Sequence, residues 1–354
     1  MQLKKNQLMS EKTLGIIGGG QLGMFICMAA KKYGLKTIIF SQEPEFSAKE
    51  FCDDYLVGDI NKNEKIDDFI KKADFFTVET ENIPKQFLKK IQREKKLFPS
   101  SEIIEITQNR LKEKKFLNSL RNITTTKFFE INNFDDLDYN ARKLNFNCIL
   151  KTQEFGYDGK GQFIINEINL NEFREKKLNK FILEEKINFK LEISVIVARS
   201  NSGIVYYPPV NNIHKDSILR ETLYPAKINE EIKKDAIEKS LIISESLKLN
   251  GVLAVEMFVT KDNKILINEL APRPHNSGHW TMDACKFSQF DNLVSVIKED
   301  KVKKPLPFRN CKMINIIGND FLSFKKINND FKAYDYFKKE VRDSRKMGHY
   351  ILFE

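Results

Sequence analysis

The chain has 354 residues, of which 41% are hydrophobic and 31% are charged. This composition supplies a packed core and excludes wholesale disorder, and the length predicts two or three domains. The five cysteines are scattered without a CxxC pair. That spacing excludes a zinc site and a disulfide framework and is typical of a reducing cytosol.

The formal net charge is +10, but the lysines recur along the whole chain and acidic residues are interleaved with them. Nucleic-acid-binding proteins concentrate such an excess in a stripe or a tail. We therefore expect no nucleic-acid partner. The excess indicates solvated lysine-rich surfaces and, as a second interpretation, a pocket for phosphorylated anionic small molecules.

Residues 14–30 form an uncharged run that follows three lysines, and such a run resembles a signal peptide. Three successive glycines at 18–20 interrupt it, which favours a strand, a glycine turn and a helix. The chain has no other long apolar stretch. We expect a cytoplasmic protein that makes no membrane contact.

The first third of the chain alternates predicted strands and helices. Strands are predicted at 13–17, 35–40, 54–57 and 73–79, with helices from the glycine turn to Lys32 and around 63–72. This rhythm predicts a parallel sheet covered by helices.

Gly18, Gly20 and Gly23 form a GxGxxG motif between the first strand and the first helix. Such a turn lets backbone N–H groups and the helix N-terminus approach an anion. A dinucleotide site also needs an acid near the end of the second strand, where residues 41–44 (SQEP) match ambiguously. A nicotinamide dinucleotide, another phosphorylated substrate and a turn without ligand all remain open.

A second glycine loop lies in the middle of the chain. A helix is predicted near 110–120, and strands at 148–152, 162–166 and 180–185. The loop between the first two of these strands carries Gly156, Asp158, Lys160 and Gly161, and Lys151 precedes it. These residues suit a grip on nucleotide phosphates, and an exposed hairpin is the alternative.

Two glutamates further along are predicted to face each other. Strands are predicted at 191–199, 203–208, 253–259 and 264–270, with a helix at 230–249. A two-residue turn at Asp262 and Asn263 makes Glu256 and Glu269 cross-strand neighbours. Two such carboxylates repel each other unless a cation such as Mg²⁺ lies between them. A longer turn would shift the register and direct one glutamate to solvent.

The segment after the second glutamate carries Arg273, His275, Asn276 and His279, whose side chains are donors suited to anions. Two of the four histidines of the chain fall within this short stretch. The cluster is interpreted as functional, with structural hydrogen bonding by the histidines as the alternative.

Seven motifs occur in order along the chain. They are GGGQLG at 18–23, ETEN at 79–82, GYDGKGQ at 156–162, EISV at 192–195, NNIH ending at His214, NELAPRPHNSGHW at 268–280, and KEVR with RKMGH within 339–349. With these motifs the chain resembles the ATP-grasp superfamily and, within it, the 5-(carboxyamino)imidazole ribonucleotide synthase family.

The resemblance implies an α/β fold of ATP-grasp architecture. An N-terminal parallel α/β domain, similar to that of biotin carboxylase, is expected at 1–112. A small α+β lid with the glycine loop is expected at 113–188, and the ATP-grasp core with an α+β C-terminal domain at 189–354.

The activity that the resemblance implies belongs to purine biosynthesis. It is the ATP-dependent carboxylation of 5-aminoimidazole ribonucleotide by bicarbonate, through carboxyphosphate, with ADP and phosphate as products. The cofactors would be ATP and Mg²⁺, with Mn²⁺ as an alternative, and the enzyme would be a homodimer. A formate-dependent glycinamide ribonucleotide transformylase and, from another class, an NAD-dependent oxidoreductase are the alternatives.

The resemblance also assigns residues of this chain to four roles. The catalytic residues would be Asp158, Lys160, Arg273 and His275. ATP would contact Arg110, Lys151, Phe155, Gly156, Tyr157, Asp158, Gly159, Lys160, Gly161, Glu184, Glu185, Lys186, Ile187, Glu192, His214, Asn268 and Glu269. The ribonucleotide would contact Gly20, Gln21, Leu22, Glu79, Asn82, Tyr157, Asn276, Ser277, Lys339, Arg345 and Lys346, and the metal would bind Glu256 and Glu269.

The chain departs from the family pattern in two places. Gln153, Glu154 and Phe155 stand where the family usually has two arginines and a glycine, and Met24 replaces an arginine.

Overall fold

The computed structural model describes residues 12–62, 65–154, 156, 161–321 and 332–354. The N-terminal unit is a five-stranded parallel sheet covered by helices, as predicted. Its elements are β1 (Thr13–Ile17), α1 (Gln21–Lys32), β2 (Lys36–Ser41), β3 (Asp54–Val57), α2 (Ile66–Lys71), β4 (Phe75–Val78), α3 (Lys85–Glu94) and β5 (Lys96–Phe98).

The strand order of this sheet is β3-β2-β1-β4-β5, so β1 lies at its centre. Successive strands are added on one side of β1 and then on the other. Ligands of open parallel sheets bind beyond the carboxyl ends of the strands at the point where the order reverses. In this chain that point is the glycine turn after β1.

The middle of the chain forms a smaller antiparallel sheet with the order β6-β9-β7-β8. The elements of this region are α4 (Ser101–Thr107), α5 (Arg110–Ser119), β6 (Phe128–Ile131), α6 (Phe134–Lys143), β7 (Cys148–Thr152), β8 (Gln162–Ile165) and β9 (Phe181–Glu185). Leu137 and Ala141 of α6 pack against Cys148, Leu150 and Leu183, which gives this sheet a core of its own.

The rest of the chain builds one eight-stranded antiparallel sheet with the order β14-β13-β10-β11-β12-β15-β17-β16. Its elements are β10 (Phe189–Ser200), β11 (Gly203–Lys215), β12 (Ile218–Tyr224), α7 (Glu230–Ser246), β13 (Gly251–Thr260), β14 (Ile265–Ala271), α8 (Thr281–Ala284), α9 (Gln289–Ile297), β15 (Cys311–Ile317), β16 (Lys332–Asp335) and β17 (Lys346–Phe353). Within the described ranges, none of the helices is both long and apolar enough to span a membrane.

Strand β11 is longer than predicted. The predicted strand ended at Pro208, whereas β11 ends at Lys215. The structure continues the strand through Pro208 and Pro209, opposite an irregularity in the pairing between Ser194 and Ile196. Proline is tolerated in a sheet where the ladder of hydrogen bonds is already interrupted.

One face of the large sheet changes from apolar to polar along its strands. Ile196 and Ala254 belong to the core that includes residues of α1 and α9. Two positions further along, the same face carries Ser194 and Glu256, which are register partners. On the opposite face, Ile193, Val195, Leu253 and Val255 pack with residues of α7 in a second apolar core. The polar part of the first face is where the candidate site lies.

Candidate active site

The hairpin between β13 and β14 has a different turn from the one predicted. Its loop contains three residues at 261–263, and the Thr260 N–H donates to the Lys264 carbonyl at 2.9 Å. Asn263 takes a left-handed conformation with φ of 62°, as expected for the last residue of a three-residue hairpin loop. The two-residue turn was therefore wrong, and the longer loop shifts the register near the turn by one residue.

A β-bulge at Asn268 restores the register. The pairs nearest the turn include Met257 with Ile267, but the next pair is Glu256 with Glu269, so Asn268 is skipped. Its carbonyl accepts a hydrogen bond of 3.1 Å from the Lys114 ammonium group. The predicted facing of the two glutamates is confirmed, although it arises from two shifts that compensate each other.

Each of the two glutamates is bound to a basic side chain. Glu256 Oε1 lies 2.9 Å from His275 Nε2, and Glu269 Oε2 lies 3.3 Å from Arg110 Nη1. Burial raises the pKa of Glu256, but its contacts with His275 outweigh this effect and lower the pKa to about 2. The Glu256 carboxylate is therefore ready to bind a cation as an anion.

The pair fits a hard divalent cation, because carboxylate oxygens are the ligands that such ions prefer. In the part of the chain that the structure describes, no group of three or more His, Cys, Asp or Glu side chains is arranged to hold a metal ion.

A buried carboxylate on β9 lies between two lysines. Glu184 Oε2 is 3.0 Å from Lys151 Nζ and 3.4 Å from Lys114 Nζ. Burial raises the pKa of Glu184, but the charges of Lys114 and Lys151 outweigh it and lower the pKa to about 2. Burial lowers the pKa of Lys151. Sequence reasoning missed Lys114, because a lysine-rich helix gives no signal of which lysine is buried.

Backbone hydrogen bonds join the segment after Glu184 to the residues that precede β6 and β7 of the four-stranded sheet, which we call the lid sheet. The Glu185 N–H donates to the Lys127 carbonyl, and the Lys186 N–H donates to the Asn147 carbonyl, both at 2.9 Å. Asn147 Nδ2 returns a bond of 2.8 Å to the Lys186 carbonyl. Ile187 follows and is half-buried.

A cavity of about 330 Å³ runs along β10, β11 and β12 and is lined by Glu192 and His214. The His214 ring is hydrogen-bonded through Nδ1 to Glu192 Oε2. Burial lowers the pKa of His214, but the hydrogen bond and charge of Glu192 outweigh it, and the net shift is upward.

Only part of the second glycine loop is described. Phe155, Tyr157, Asp158, Gly159 and Lys160 lie outside the described residues, so their predicted roles stay predictions. The Gly156 carbonyl accepts a bond of 3.1 Å from Arg110 Nη2, and the Gly161 carbonyl accepts one of 2.9 Å from the Thr152 N–H. Arg110 therefore contacts both this loop and the acidic pair.

The residues that replace the family's arginines before this loop are also held in place. Asn109 Nδ2 donates to Gln153 Oε1 at 3.4 Å and to Glu154 Oε1 at 3.2 Å. The other departure, Met24, belongs to α1, and its side chain is buried in the core.

Arg273 forms a bidentate ion pair with Glu81, with bonds of 2.5 Å from Nε and 3.0 Å from Nη2. The arginine follows β14 of the large sheet, and the glutamate follows β4 of the N-terminal sheet. Burial raises the pKa of Glu81, but Arg273 outweighs it and the pKa is lowered. Sequence reasoning singled out Glu79 and Asn82 from the ETEN motif and missed Glu81.

The histidines of the PHNSGH segment differ in their surroundings. His275 contacts Glu256, and its Nδ1 is 2.8 Å from Ser277 Oγ. His279 was predicted to face an anion, but its ring is fully buried and stacks on His349 with centroids 4.9 Å apart. Burial holds the pKa of His279 well below its ordinary value. Asn276 is also buried, with both amide atoms unpaired within the described structure.

The glycine turn after β1 opens on a cavity of about 690 Å³, which Gly20, Gln21, Glu79 and Asn82 help to line. The Glu79 carboxylate occupies the backbone donors of the turn. It accepts hydrogen bonds from the Gly20 N–H at 2.5 Å and from the Gly23 N–H at 2.8 Å. A dinucleotide pyrophosphate would need these N–H groups, so the structure disfavours the oxidoreductase. Leu22 is buried in the core, which leaves only its backbone for a ligand.

Residues 338–349, which we call the basic C-terminal segment, border this cavity. Four of its basic side chains line the cavity: Lys338, Lys339, Arg342 and Arg345. The resemblance had assigned only Lys339 and Arg345 of these to the ribonucleotide. Lys339 Nζ is 2.8 Å from Glu45 Oε2, on the opposite side of the cavity.

Two further basic residues of this segment do not line the cavity. Lys346 begins β17 instead. His349, the last residue of the RKMGH motif, is buried, and its Nδ1 is 2.8 Å from the Tyr336 hydroxyl. Strand alternation directs it into the core.

The site combines two facing carboxylates, two lysines paired with the buried Glu184, and a cavity at the glycine turn. This combination is that of an ATP-grasp enzyme. The family model of the ATP-grasp domain matches residues 116–290. The ribonucleotide synthetase preATP-grasp domain matches 11–108, and the phosphoribosylaminoimidazole carboxylase C-terminal domain matches 311–354. The chain belongs to the N5-carboxyaminoimidazole ribonucleotide synthase family.

Individual relatives agree with this membership. The chain is 35% identical to N5-carboxyaminoimidazole ribonucleotide synthase of Bacillus subtilis, over 95% of this chain and 90% of that one. It is also 35% identical to the bifunctional purine synthesis protein purC/E of Dictyostelium discoideum, of which it spans 36%.

Solved structures give the same result. N5-carboxyaminoimidazole synthetase from Staphylococcus aureus complexed with ADP superposes with a TM-score of 0.91, at 31% identity over 97% of this chain and 93% of that one. The Aspergillus clavatus enzyme in complex with ADP and 5-aminoimidazole ribonucleotide gives 0.88, at 25% identity over 97% and 94%.

Proposed function

We propose that the chain carboxylates 5-aminoimidazole ribonucleotide with bicarbonate at the expense of ATP, and yields N5-carboxyaminoimidazole ribonucleotide, ADP and phosphate. The observation that carries this proposal is the ion pair between Arg273 and Glu81. This pair joins the end of β14, the strand that carries Glu269, to the loop after β4. That loop borders the cavity at the glycine turn. A phosphorylated ribonucleotide in that cavity would have its reacting end near the nucleotide site.

The proposed chemistry has two steps. A bicarbonate oxygen attacks the γ-phosphorus of ATP, the bond to ADP breaks, and carboxyphosphate forms. The exocyclic amine of the ribonucleotide then attacks the carboxyl carbon, phosphate leaves, and the amine loses a proton. Arg273 and His275, with Asp158 and Lys160 of the glycine loop, would surround the intermediate. Fixed donors stabilise the charge that develops on a transferring phosphoryl group, and closure excludes water.

ATP would lie between the lid sheet and the polar face of the large sheet. Lys151 and residues 155–161 would hold the phosphates, residues 184–187 the adenine, and Glu192, His214 and Arg110 the rest of the nucleotide. Mg²⁺, or Mn²⁺, at Glu256 and Glu269 would neutralise charge on the phosphates, with Asn268 beside it.

Lys114 is expected to support this site. In Lys114→Met, Glu184 keeps its charge but loses one of two partners, so we expect the free energy of unfolding to fall by about 3 kcal/mol and the KM for ATP to rise. Urea denaturation and steady-state kinetics measure the two effects. The matched control is Lys115→Met, since the neighbouring Lys115 side chain is 61% exposed. Equal behaviour of the two variants would contradict the role of Lys114.

The same cluster predicts a pH dependence of stability. The pKa of Glu184 is lowered from 4.5 to about 2 in the folded chain. Its ion pairs therefore stabilise the fold fully above pH 4.5, and this stabilisation is lost as the pH falls towards 2. Unfolding measured across this range should show a smaller loss in Lys114→Met than in the unsubstituted protein.

The basic C-terminal segment would bind the ribonucleotide phosphate in the 690 Å³ cavity. Lys339→Ala or Arg345→Ala should raise the KM for 5-aminoimidazole ribonucleotide about ten- to a hundredfold and spare ATP, because a charge-assisted hydrogen bond is lost. Lys301→Ala, at an exposed lysine elsewhere, is the control. A defect confined to ATP would refute this role.

Glu45 offers a test with the opposite sign. Its carboxylate pairs with the Lys339 ammonium group at 2.8 Å. Glu45→Gln removes a competing anion, so the KM for the ribonucleotide should fall while the KM for ATP stays the same. An unchanged or higher KM would contradict the competition.

We further propose domain boundaries near 112 and 188, a homodimer and a cytoplasmic location. The second sheet ends at Glu185, which supports the boundary near 188, whereas the boundary near 112 falls within α5. All five cysteines are free, which suits a reducing compartment. The homodimer rests on the resemblance, and light scattering should give a mass twice the chain's 41.4 kDa.

An ADP-release assay tests the proposed reaction. We expect rapid release only when 5-aminoimidazole ribonucleotide and bicarbonate are supplied together with ATP. Release that is independent of the ribonucleotide would contradict the proposal.

A further inference from the structure

A row of buried hydrogen bonds leads across the large sheet from β12 towards the acidic pair. Thr222 Oγ1 donates to Asn212 Oδ1 at 3.1 Å, and Asn212 Nδ2 donates to Ser194 Oγ at 2.9 Å. Ser194 Oγ then lies 2.8 Å from Ser277 Oγ. All four side chains are buried, so these bonds form away from bulk water.

The row continues from Ser277 to the acidic pair through His275. Ser277 Oγ is 2.8 Å from His275 Nδ1, and His275 Nε2 is 2.9 Å from Glu256 Oε1. Four strands, β12, β11, β10 and β13, and the segment after β14 supply the members of the row. We call these six residues, from Thr222 to Glu256, the relay.

The direction of each bond follows from the hydrogens available. The Asn212 amide nitrogen only donates, so Ser194 accepts from it, and the single hydroxyl hydrogen of Ser194 is available for Ser277. The Ser277 N–H also donates to His275 Nδ1, at 3.3 Å. Nδ1 therefore accepts, the Ser277 hydroxyl points to it as well, and the ring proton lies on Nε2, facing Glu256.

All donors of the relay thus point the same way. Hydrogen bonds aligned head to tail polarise one another, and this effect is strongest in a buried, low-dielectric setting. A side chain deep in the sheet can therefore fix the ring orientation and the tautomer of His275.

We infer that Ser194, Asn212 and Thr222 are positioning residues, which act through Ser277 to hold His275 as its Nε2–H tautomer against Glu256. The inference rests on the proposed function, which puts His275 and Glu256 at the site of phosphoryl transfer. Held in this way, His275 binds one oxygen of Glu256 and keeps the carboxylate in place for a metal ion. Partners that orient such groups are typically worth about 10–100-fold in metal affinity or activity.

The tautomer is measured directly by ¹⁵N NMR of the histidine rings, since the chain has only four histidines. His275→Gln identifies the signal. We expect His275 to be Nε2–H in the unsubstituted protein and to become a mixture of tautomers in Ser194→Ala. The kcat of Ser194→Ala should fall about tenfold, while the KM for each substrate changes less than about twofold.

Two further variants keep the test decisive. Ser240→Ala is the matched control, because Ser240 is a fully buried serine of α7 that bonds only the Ala236 carbonyl of its own helix in the described structure. It should retain the wild-type spectrum and kcat. Thr222→Val is nearly isosteric, so it should fold even if Ser194→Ala does not, and should shift the tautomer in the same direction.

An Nδ1–H ring in the unsubstituted protein would overturn the inference. So would a Ser194→Ala protein, or in its place a Thr222→Val protein, that matches Ser240→Ala in both spectrum and kcat. The spectra require no substrate. Absence of ribonucleotide-dependent turnover in the unsubstituted protein would therefore refute the proposed function alone and leave the relay to be judged by NMR.

Discussion

Glu269→Gln should lower ATP turnover by about 10²–10³-fold and leave the fold intact. The carboxylate of Glu269 faces that of Glu256, and the pair is the candidate metal site. An amide oxygen carries no charge and binds a hard cation less well, so the charge on the transferring phosphoryl group loses its stabilisation. Steady-state ADP release at saturating ATP measures the loss.

The matched control for this variant is Glu130→Gln. The Glu130 side chain is 43% exposed and pairs with Lys115, whereas that of Glu269 is 44% exposed and pairs with Arg110. Glu130→Gln should retain full turnover. Near wild-type turnover in Glu269→Gln would show that the metal assignment is wrong.

The Glu269→Gln substitution is expected to have little effect on the stability of the protein. Repulsion between two unpartnered carboxylates would predict a higher Tm for the variant. In the structure, however, each carboxylate already has a partner, because Arg110 pairs with Glu269 and His275 Nε2 lies 2.9 Å from Glu256 Oε1. Because Glu269 is considerably exposed, we expect its replacement to change the Tm by no more than about 2 °C.

Arg273→Ala should reduce carboxylation about 10²–10³-fold and ATP binding much less, because Arg273 is proposed to contact the carboxyphosphate and not the nucleotide. The same change leaves Glu81 mostly buried without its partner. We expect the free energy of unfolding to fall by about 3 kcal/mol. Calorimetric ATP binding and the rate of ribonucleotide carboxylation separate the two effects.

A double variant removes the structural component. In Glu81→Leu with Arg273→Met no unpaired charge remains, so stability should recover relative to Arg273→Ala. Carboxylation should stay lost, since the donor is still missing. Recovery of carboxylation together with stability would mean that Arg273 only joins the two sheets. Equal losses of ATP binding and carboxylation in the single variant would also contradict its role.

The sequence supported the order of elements and the facing of Glu256 and Glu269, because alternation and turn residues are local signals. It failed on the turn itself: a three-residue loop and the bulge at Asn268 compensate, and the bulge contacts Lys114, which is 154 positions away. No local pattern encodes such a contact.

Long-range partners explain the other differences. Glu81 becomes significant only through Arg273, which lies 192 positions further along the chain. Ser194 and Thr222 look like ordinary strand residues until the sheet aligns them with Ser277. His349 resembles a member of a basic run, but the strand that it belongs to directs it inward. In each case packing between distant segments decides the role.

The central claim is that bicarbonate is activated by ATP before it reaches the amine. It is tested most directly with bicarbonate that carries ¹⁸O and ¹³C. We predict that one ¹⁸O atom appears in the phosphate released and that ¹³C appears in the carboxylated ribonucleotide. Phosphate whose new oxygen comes from water, with no label from bicarbonate, would contradict the account.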